Sequence, residues 1–485
     1  MLPYHGNLNP NPNHPFTIMS IFWIKTFQLL LCFALLIVLH ECGHFFFAKL
    51  FGIRVEKFFM FFDYKFHLFS TRDKWFARLF PRIANNETEY GVGWIPLGGY
   101  VKIAGMIDES MDLEQMKQPV QPWEFRAKPV WQRFLVMVGG VLVNFLLALF
   151  IYAMILFAWG EDTLPMRNIT NGFSYNEMAE SIGFRDGDVP VSADGTPIDV
   201  WNGTVYRTIS QAATVTVMRD GAEVTLHMPD GGINLLEMLE QDPRFLTINV
   251  PSVIDSVLPG SPAHQAGMRK GDRITSVEGQ PTPWWGDFDA IMGRKADILA
   301  AGCSHADSVR LRTLTLTVAH DGAAAADTLT LELDADYHLG ILKTHYLQCY
   351  DLSHKDYGFF ESIPAGVAYG WETLKGYVSD LRYVFSKKGA QSVGSFGTIG
   401  NLFPAVWNWQ SFWQITAFIS IILAVMNILP IPGLDGGHIF FLLVEAVTRR
   451  QPSDKFMTWA QYVGMAFILA LMALAIFNDL VKFVF

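Results

Sequence analysis

Cysteine is scarce in this chain of 485 residues: Cys32, Cys42, Cys303 and Cys349 are all there is, and none forms a CxxC pair. That is too few for a disulfide scaffold, and without CxxC a thiolate zinc cluster is disfavoured as well. Charge is sparse too, at 17% Asp, Glu, Lys and Arg with a formal balance of -10. A chain without a basic surplus is not built for nucleic acid. The first 18 residues hold Pro3, Pro10, Pro12 and Pro15 but no Lys or Arg. They lack the basic start of a signal peptide and read as a disordered extension, 1–18, with Met19 as an alternative start.

What is abundant is apolar surface: 51% hydrophobic and 14% aromatic residues, with a mean hydropathy of +0.24. This is too apolar for an ordinary cytosolic protein and excludes a disordered or fibrous chain. Apolar runs long enough to cross a bilayer, about 20 residues each, occur at 21–39, 134–159, 412–429 and 457–477. They predict membrane helices over 19–48, 134–160, 411–440 and 457–480.

Charge orients these spans. Residues 49–133 hold 13 Lys and Arg against 10 Asp and Glu, whereas residues 160–411 hold 18 against 31. Lys49, Arg54, Lys57, Lys65, Lys117, Arg126, Lys128 and Arg133 flank the first two spans, and Arg449, Arg450 and Lys455 separate the last two. The positive-inside rule makes both loops cytoplasmic and the acidic connection external. The first and third spans then run in the same direction, outside to inside.

The acidic connection repeats itself. Ala179, Gly183, Arg185, Gly187, Asp188, Ser192, Gly195 and Pro197 recur 84 positions later as Ala263, Gly267, Arg269, Gly271, Asp272, Ser276, Gly279 and Pro281. Two copies of one small α/β domain are predicted, over 165–250 and 251–345. Each pairs a short helix ending in Gly with a Gly-Asp turn and an alternating strand. The pattern resembles PDZ domains of bacterial membrane proteases, whose groove accepts a peptide as an added strand. Capture of peptide C-termini and size filtering both stay open for these repeats.

Chemistry concentrates at His40-Glu41-Cys42-Gly43-His44. Imidazoles four residues apart on a helix are rotated by only about 40° and can share one metal ion, and the carboxylate beside them can polarise a water. HExxH strings arise by chance, but two imidazoles and a carboxylate at the inner end of a membrane span are costly unless they face an interior site. Cys42 points away from the pair and reads as a packing residue. A catalytic zinc needs a third protein ligand and one open position. The third span closes with Asn427-Ile428-Leu429-Pro430-Ile431-Pro432-Gly433-Leu434-Asp435-Gly436-Gly437-His438, which makes Asp435 the candidate. Because the first and third spans run the same way, His40, His44 and Asp435 reach one depth. Pro430 and Pro432 break the helix before Asp435, and the flanking glycines permit close backbone approach.

HExxH on the first span, the tandem repeat and NxxPxPxLDGGH on the third together resemble the site-2 protease family of intramembrane zinc metalloproteases. The likeness runs from about Phe22 to the end and includes Pro96-Leu97-Gly98-Gly99-Tyr100-Val101, Gly139-Gly140 with Asn144, Tyr357-Gly358 and Phe477-Asn478-Asp479. It implies a multi-pass α-helical membrane protein with four transmembrane helices, two inserted PDZ-like α/β domains and a membrane-associated β-hairpin. It further implies one Zn2+ per chain on His40, His44 and Asp435, with Glu41 as catalytic base and Asn427 beside the reacting carbonyl. The family's second span usually carries Gly-Pro where this chain has Gly139-Gly140. Gln391-Ser392-Val393-Gly394-Ser395-Phe396-Gly397 replaces an Asn-rich substrate-contacting stretch.

Two further stretches are expected to handle substrate. In the loop 49–133, residues 91–106 alternate apolar positions around a Pro-Leu-Gly-Gly turn, which predicts a hairpin. Its edge would offer N–H and C=O groups to an unwound substrate helix, so Gly98, Gly99, Tyr100, Val101 and Ile103 are the candidate substrate-binding residues. Within 355–410, Trp371, Leu374, Val378, Leu381 and Phe385 follow helical spacing, and this helix either lies on the membrane surface or packs on a PDZ-like domain.

The expected activity is hydrolysis of a peptide bond inside a transmembrane segment of another protein, in the inner membrane of a bacterium. The site would lie near the cytoplasmic side and the PDZ-like domains in the periplasm. By the resemblance, substrates are single-span proteins already shortened on the outer side, such as an anti-sigma factor, or remnant signal peptides. The lipid bilayer is the other partner, and nucleic acid is not one. A soluble-type metalloprotease would carry HExxH on an amphipathic helix, which the apolar run 29–39 contradicts. A membrane-anchored PDZ scaffold without protease activity would lack at least one of His40, Glu41, His44 or Asp435, and all are present.

Overall fold

The structure, a computed structural model, describes residues 15–95, 98–106, 118–240, 243–302, 305–320, 326–334, 337–384, 389 and 394–483. The N-terminal stretch 1–14, the Pro96-Leu97 turn, Lys117, Cys303, Phe385 and Gln391-Ser392-Val393 lie outside the described residues. The chain divides into two units, one formed by Glu161–Lys355 and one by the segments that flank it.

In the flanking unit, four helices among the described residues are long and apolar enough to cross a membrane: Ser20–Leu50, Val130–Trp159, Trp409–Ile428 and Lys455–Lys482. Each is predominantly apolar, as lipid requires of a helix whose backbone bonds are closed internally. The third ends at Ile428, because Pro430 and Pro432 cannot continue it, and a separate helix spans Asp435–Thr448. The stretch 411–440 is therefore two helices, broken where Pro430 and Pro432 were expected to break it, and the break sets Asp435 at a helix start.

The second helix, Val130–Trp159, is the hub on which the first, the third and the Phe359–Val384 helix all pack. Gly366 and Gly370 let the last of these approach closely: a Cβ on Gly366 would sit 2.4 Å from the Ala153 nitrogen, and one on Gly370 2.5 Å from Leu149 Cδ2. Leu374, Tyr377 and Leu381 then join a cluster with Tyr152, Ile155 and Ile421. One face of this helix is therefore built into the bundle. Arg133 and Glu445 form a bidentate pair, with Nη2 to Oε1 at 2.5 Å and Nη1 to Oε2 at 3.1 Å. Both side chains are buried, so removing either would cost about 3–5 kcal/mol. The pair pins the helix that begins at Asp435 to the hub.

Strands β1 (Val55–Met60), β2 (Phe62–Ser70), β3 (Glu89–Ile95) and β4 (Tyr100–Ile103) form one sheet in the order β2-β3-β1-β4. The expected hairpin of β3 with β4 is thus corrected: β1 lies between them, parallel to β3 and antiparallel to β4. The reason is burial. Val55 and Phe59 of β1 are fully buried, which a central strand allows, and Gly91 of β3 leaves room for the Phe59 ring, 2.3 Å from where its Cβ would be. β4 remains an edge strand. Its Val101 and Ile103 side chains face a core shared with Ala48, Ile53 and Val55.

In the Glu161–Lys355 unit, β5 (Glu161–Pro165) lies between β9 (Val200–Trp201) and β19 (Ser353–Lys355). The rest is one arrangement used twice. Strands β7 (Val189–Ala193), β8 (Thr196–Pro197), β10 (Thr214–Arg219) and β11 (Ala222–His227) run β11-β10-β7-β8. Strands β14 (Arg273–Val277), β15 (Gln280–Pro281), β16 (Thr313–Ala319) and β17 (Ala326–Glu332) run β17-β16-β14-β15. A two-stranded pair accompanies each sheet: β6 (Phe173–Tyr175) with β12 (Leu246–Ile248), and β13 (Ile254–Val257) with β18 (Ile341–Lys343). The turn after each Gly-Asp strand has positive φ at both residues, 47° and 76° at Asp194-Gly195 and 52° and 76° at Glu278-Gly279, which suits a tight hairpin.

Candidate metal centre

The first helix runs unbroken through HExxH to Leu50, so His40 and His44 project from one face on consecutive turns. Their Nε2 atoms lie 3.2 Å apart. Asp435, almost four hundred positions later, brings Oδ2 to 3.1 Å from His40 Nε2 and 3.4 Å from His44 Nε2. These edges match a tetrahedral site, where bonds of about 2.1 Å give ligand separations of about 3.4 Å. Asp435 Oδ2 is buried without a properly formed hydrogen bond, although two imidazole nitrogens face it. Three lone-pair donors converging on one point, two nitrogens and one carboxylate oxygen, suit a divalent ion such as zinc. Among the described residues this is the one cluster of His, Cys, Asp and Glu with metal-ligand spacing. Cys42, with a free thiol, stays out of it.

The imidazoles are held from behind by the second helix. His44 Nδ1 is 2.8 Å from the Val136 carbonyl oxygen, and His40 Nδ1 is 3.3 Å from the Asn144 amide. Between these positions Gly140 leaves its face bare: a Cβ there would meet His44 Nε2 at 2.5 Å and His40 Cε1 at 2.6 Å. The Ser420 hydroxyl of the third helix donates to the Asn144 carbonyl at 2.7 Å, tying three helices together beside the donors.

All the sequence-predicted site residues line one cavity of about 950 Å3. Glu41 faces it from the first helix, Asn427 from the last turn of the third, and Gly98, Gly99, Tyr100, Val101 and Ile103 from β4 and the turn before it. Gly99 is tight against the first helix, since a Cβ would fall 2.7 Å from Ile37 Cγ2. Apolar walls come from Phe33, Leu36, Met137 and Leu423. Sequence reasoning missed His438, one turn beyond Asp435, and Ile399, which also line the cavity together with Phe396 of the stretch that replaces the substrate-contacting one. The spacing of three between Asp435 and His438 was the available signal for the first. Nothing in the sequence placed Ile399.

Comparison with known proteins agrees with this geometry. Residues 28–471 match the profile of peptidase family M50. A protein of Ralstonia nicotianae named as a candidate zinc metalloprotease is 29% identical over 92% of this chain and 96% of its own length. The regulator of sigma-E protease RseP of Salmonella typhimurium is 26% identical over 95% of this chain and 99% of its own length. That of Escherichia coli is 25% identical over the same shares.

Proposed function

The chain belongs to peptidase family M50 and is a membrane zinc metalloendopeptidase, and from that premise we propose that it cuts peptide bonds inside membrane-spanning segments of other proteins. The observation that carries this reading is the convergence of His40, His44 and Asp435 donors in a largely apolar cavity among membrane-length helices. A water-soluble loop would gain nothing from such walls, whereas the side chains of a transmembrane segment would.

In this reading His40, His44 and Asp435 hold the ion. Zinc supplies a Lewis acid that polarises the scissile carbonyl and lowers the pKa of water from about 16 to roughly 7. Glu41 takes the proton of the attacking water and returns it to the departing amine, so that its carboxylate is regenerated each turnover. Asn427 donates an amide N–H toward the carbonyl oxygen as negative charge builds there. An unwound substrate must also replace the helix bonds it gives up, each worth several kcal/mol in lipid. The β4 edge would pair with it as an added strand.

The names of the relatives from Salmonella typhimurium and Escherichia coli support a regulatory role in sigma-factor signalling; the substrates of this reading are single-span, anti-sigma-factor-like proteins already shortened on the outer side, with remnant signal peptides as a second class. The two repeats are read as PDZ-like modules on the outer side of a bacterial inner membrane, where they exclude untrimmed substrates, with the zinc site toward the cytoplasm.

The test is zinc content together with cleavage of a model transmembrane helix in detergent. Glu41→Gln should keep zinc and lose turnover by a factor of about 10²–10⁴, the usual share of a general base. Asp435→Ala should lose zinc. Turnover retained in Glu41→Gln, or full zinc in Asp435→Ala, would overturn the assignment.

A further inference from the structure

The second helix presents a stripe to the first at intervals of four residues. Val136 offers a carbonyl to His44 Nδ1, Gly140 offers bare backbone to both rings, and Asn144 sets its amide Nδ2 3.3 Å from His40 Nδ1, an orientation that a half-turn of the amide exchanges for Oδ1. A carbonyl can only accept, so His44 carries its proton on Nδ1 and leaves the Nε2 lone pair facing Asp435. An amide can do either. If Asn144 Nδ2 faces His40, the imidazole proton moves to Nε2, where it blocks the donor position. If Oδ1 faces His40, the proton stays on Nδ1 and Nε2 is free. The other end of the Asn144 amide is buried and makes no hydrogen bond, so nothing else fixes its orientation.

We propose that Asn144 is a positioning residue whose Oδ1 accepts the His40 Nδ1–H and so holds His40 in the tautomer that presents Nε2 to the zinc ion. The inference rests on the ligand assignment given above. Val136 and Asn144 then perform the same task for the two histidines, one with a main-chain acceptor and one with a side-chain acceptor. This explains why a polar residue is kept at a fully buried place in a membrane helix, where unneeded polarity is disfavoured. Outer partners of this kind orient the ring and raise its basicity as a ligand.

The experiment compares three variants of the full-length protein in detergent by chelator competition for zinc, with cleavage as a second measure. Asn144→Leu, which removes the acceptor at similar volume, should weaken zinc binding by about 10–100-fold. Asn144→Asp, which can only accept, should stay within a few-fold of the parent. Zinc affinity unchanged in Asn144→Leu, or as weak in Asn144→Asp as in Asn144→Leu, would overturn the proposal. His40→Ala separates this from the ligand assignment. Zinc fully retained there sinks both, whereas zinc lost there but unchanged in Asn144→Leu sinks this inference alone. Should a variant not fold, nitrogen NMR of labelled histidine in the unaltered zinc-loaded protein decides. The His40 and His44 imidazoles, told apart from His438 by a His438→Gln comparison, should both carry the proton on Nδ1, and an Nε2–H on His40 excludes the assigned tautomer.

Discussion

Gly43 of the first membrane helix and Gly139 of the second meet backbone to backbone: a Cβ on Gly43 would lie 2.2 Å from the Gly139 carbonyl oxygen. Gly43 sits inside HExxH, so this crossing is what brings the histidine face against Val136, Gly140 and Asn144. Gly139→Ala should force the helices apart and lower stability by about 1–3 kcal/mol, the usual cost of overpacking, with a matching drop in thermal melting in detergent. Gly140→Ala should act differently, because its methyl group meets the imidazoles themselves. Zinc binding should suffer more than melting. Equal effects of the two substitutions on zinc would mean that the crossing, and not the Gly140 contact, sets the ligand geometry.

The free edge of β4 carries the second prediction. The Ala104 N–H donates to the Arg54 carbonyl oxygen at 3.0 Å, and since backbone groups alternate sides along a strand, Lys102 and Tyr100 point their N–H groups the same way, toward β1. Val101 and Ile103 then present theirs to the open edge. Val101→Pro removes that N–H, but it also disturbs a side chain packed in the core. Val101→Ala is the control, since it loses packing and keeps the N–H. Cleavage of a stable substrate helix should fall at least tenfold further in Val101→Pro than in Val101→Ala, at equal zinc content. A substrate weakened by Gly near the scissile bond should show a smaller gap. Matching rates for the two variants would exclude strand addition at this edge.

Much of this architecture was legible because lipid and metal impose simple rules. Runs of uncharged residues mark spans whatever their packing, and HExxH and Asp435 carry their chemistry in residue type and spacing. That the first and third spans run the same way and end at one depth needed only charge counts. Where reading failed, long-range packing decided. Nothing local shows that β1 inserts between β3 and β4, because its partners are chosen by the burial of Val55 and Phe59. The helix Phe359–Val384 carries an apolar stripe that fits a membrane surface equally well, and only Gly366 and Gly370 hint that it meets another helix. The position of Asn144 was visible, but its bond to His40 depends on how two antiparallel helices cross.

A third prediction concerns Asp479 on the fourth membrane helix, a residue of the Phe477-Asn478-Asp479 string. Its carboxylate accepts from the Ser395 N–H at 3.1 Å, the Ser395 hydroxyl at 2.5 Å, the Thr398 N–H at 3.1 Å and the Thr398 hydroxyl at 2.5 Å. It thereby caps the short helix Phe396–Leu402, whose Phe396 and Ile399 line the site cavity. Asp479→Ala leaves those donors to find other partners and frees one cavity wall. Zinc content should be unchanged, while KM for a transmembrane substrate should rise several-fold. Asp479→Asn, which keeps one acceptor, should fall between. A variant with lost zinc and unchanged KM would show that this cap supports the metal site and not the wall.

The last prediction uses a difference between the two repeats. Asp194 opens the turn after β7 at φ 47°, a backbone conformation that short polar residues tolerate. Its Oδ1 accepts the Thr214 N–H at 2.8 Å and the Ala213 N–H at 3.0 Å. Those bonds, that from Thr214 first, hold its carboxyl below the usual carboxylate range. The matching residue in the second repeat is Glu278, which reaches Lys295 Nζ at 2.8 Å instead. A depressed folded-state pKa stabilises the fold at every pH above the unfolded value, about 3.9 for Asp, and that contribution disappears as pH falls through the folded value. Asp194→Asn keeps the turn conformation and one acceptor but has no charge to gain. At about pH 6 the parent should therefore melt above Asp194→Asn, and the two melting curves should converge as pH falls below about 4. Other carboxylates titrate in both proteins and cancel in the difference. A gap that persists unchanged to the most acidic pH would show that Asp194 contributes through turn geometry alone and not through its charge.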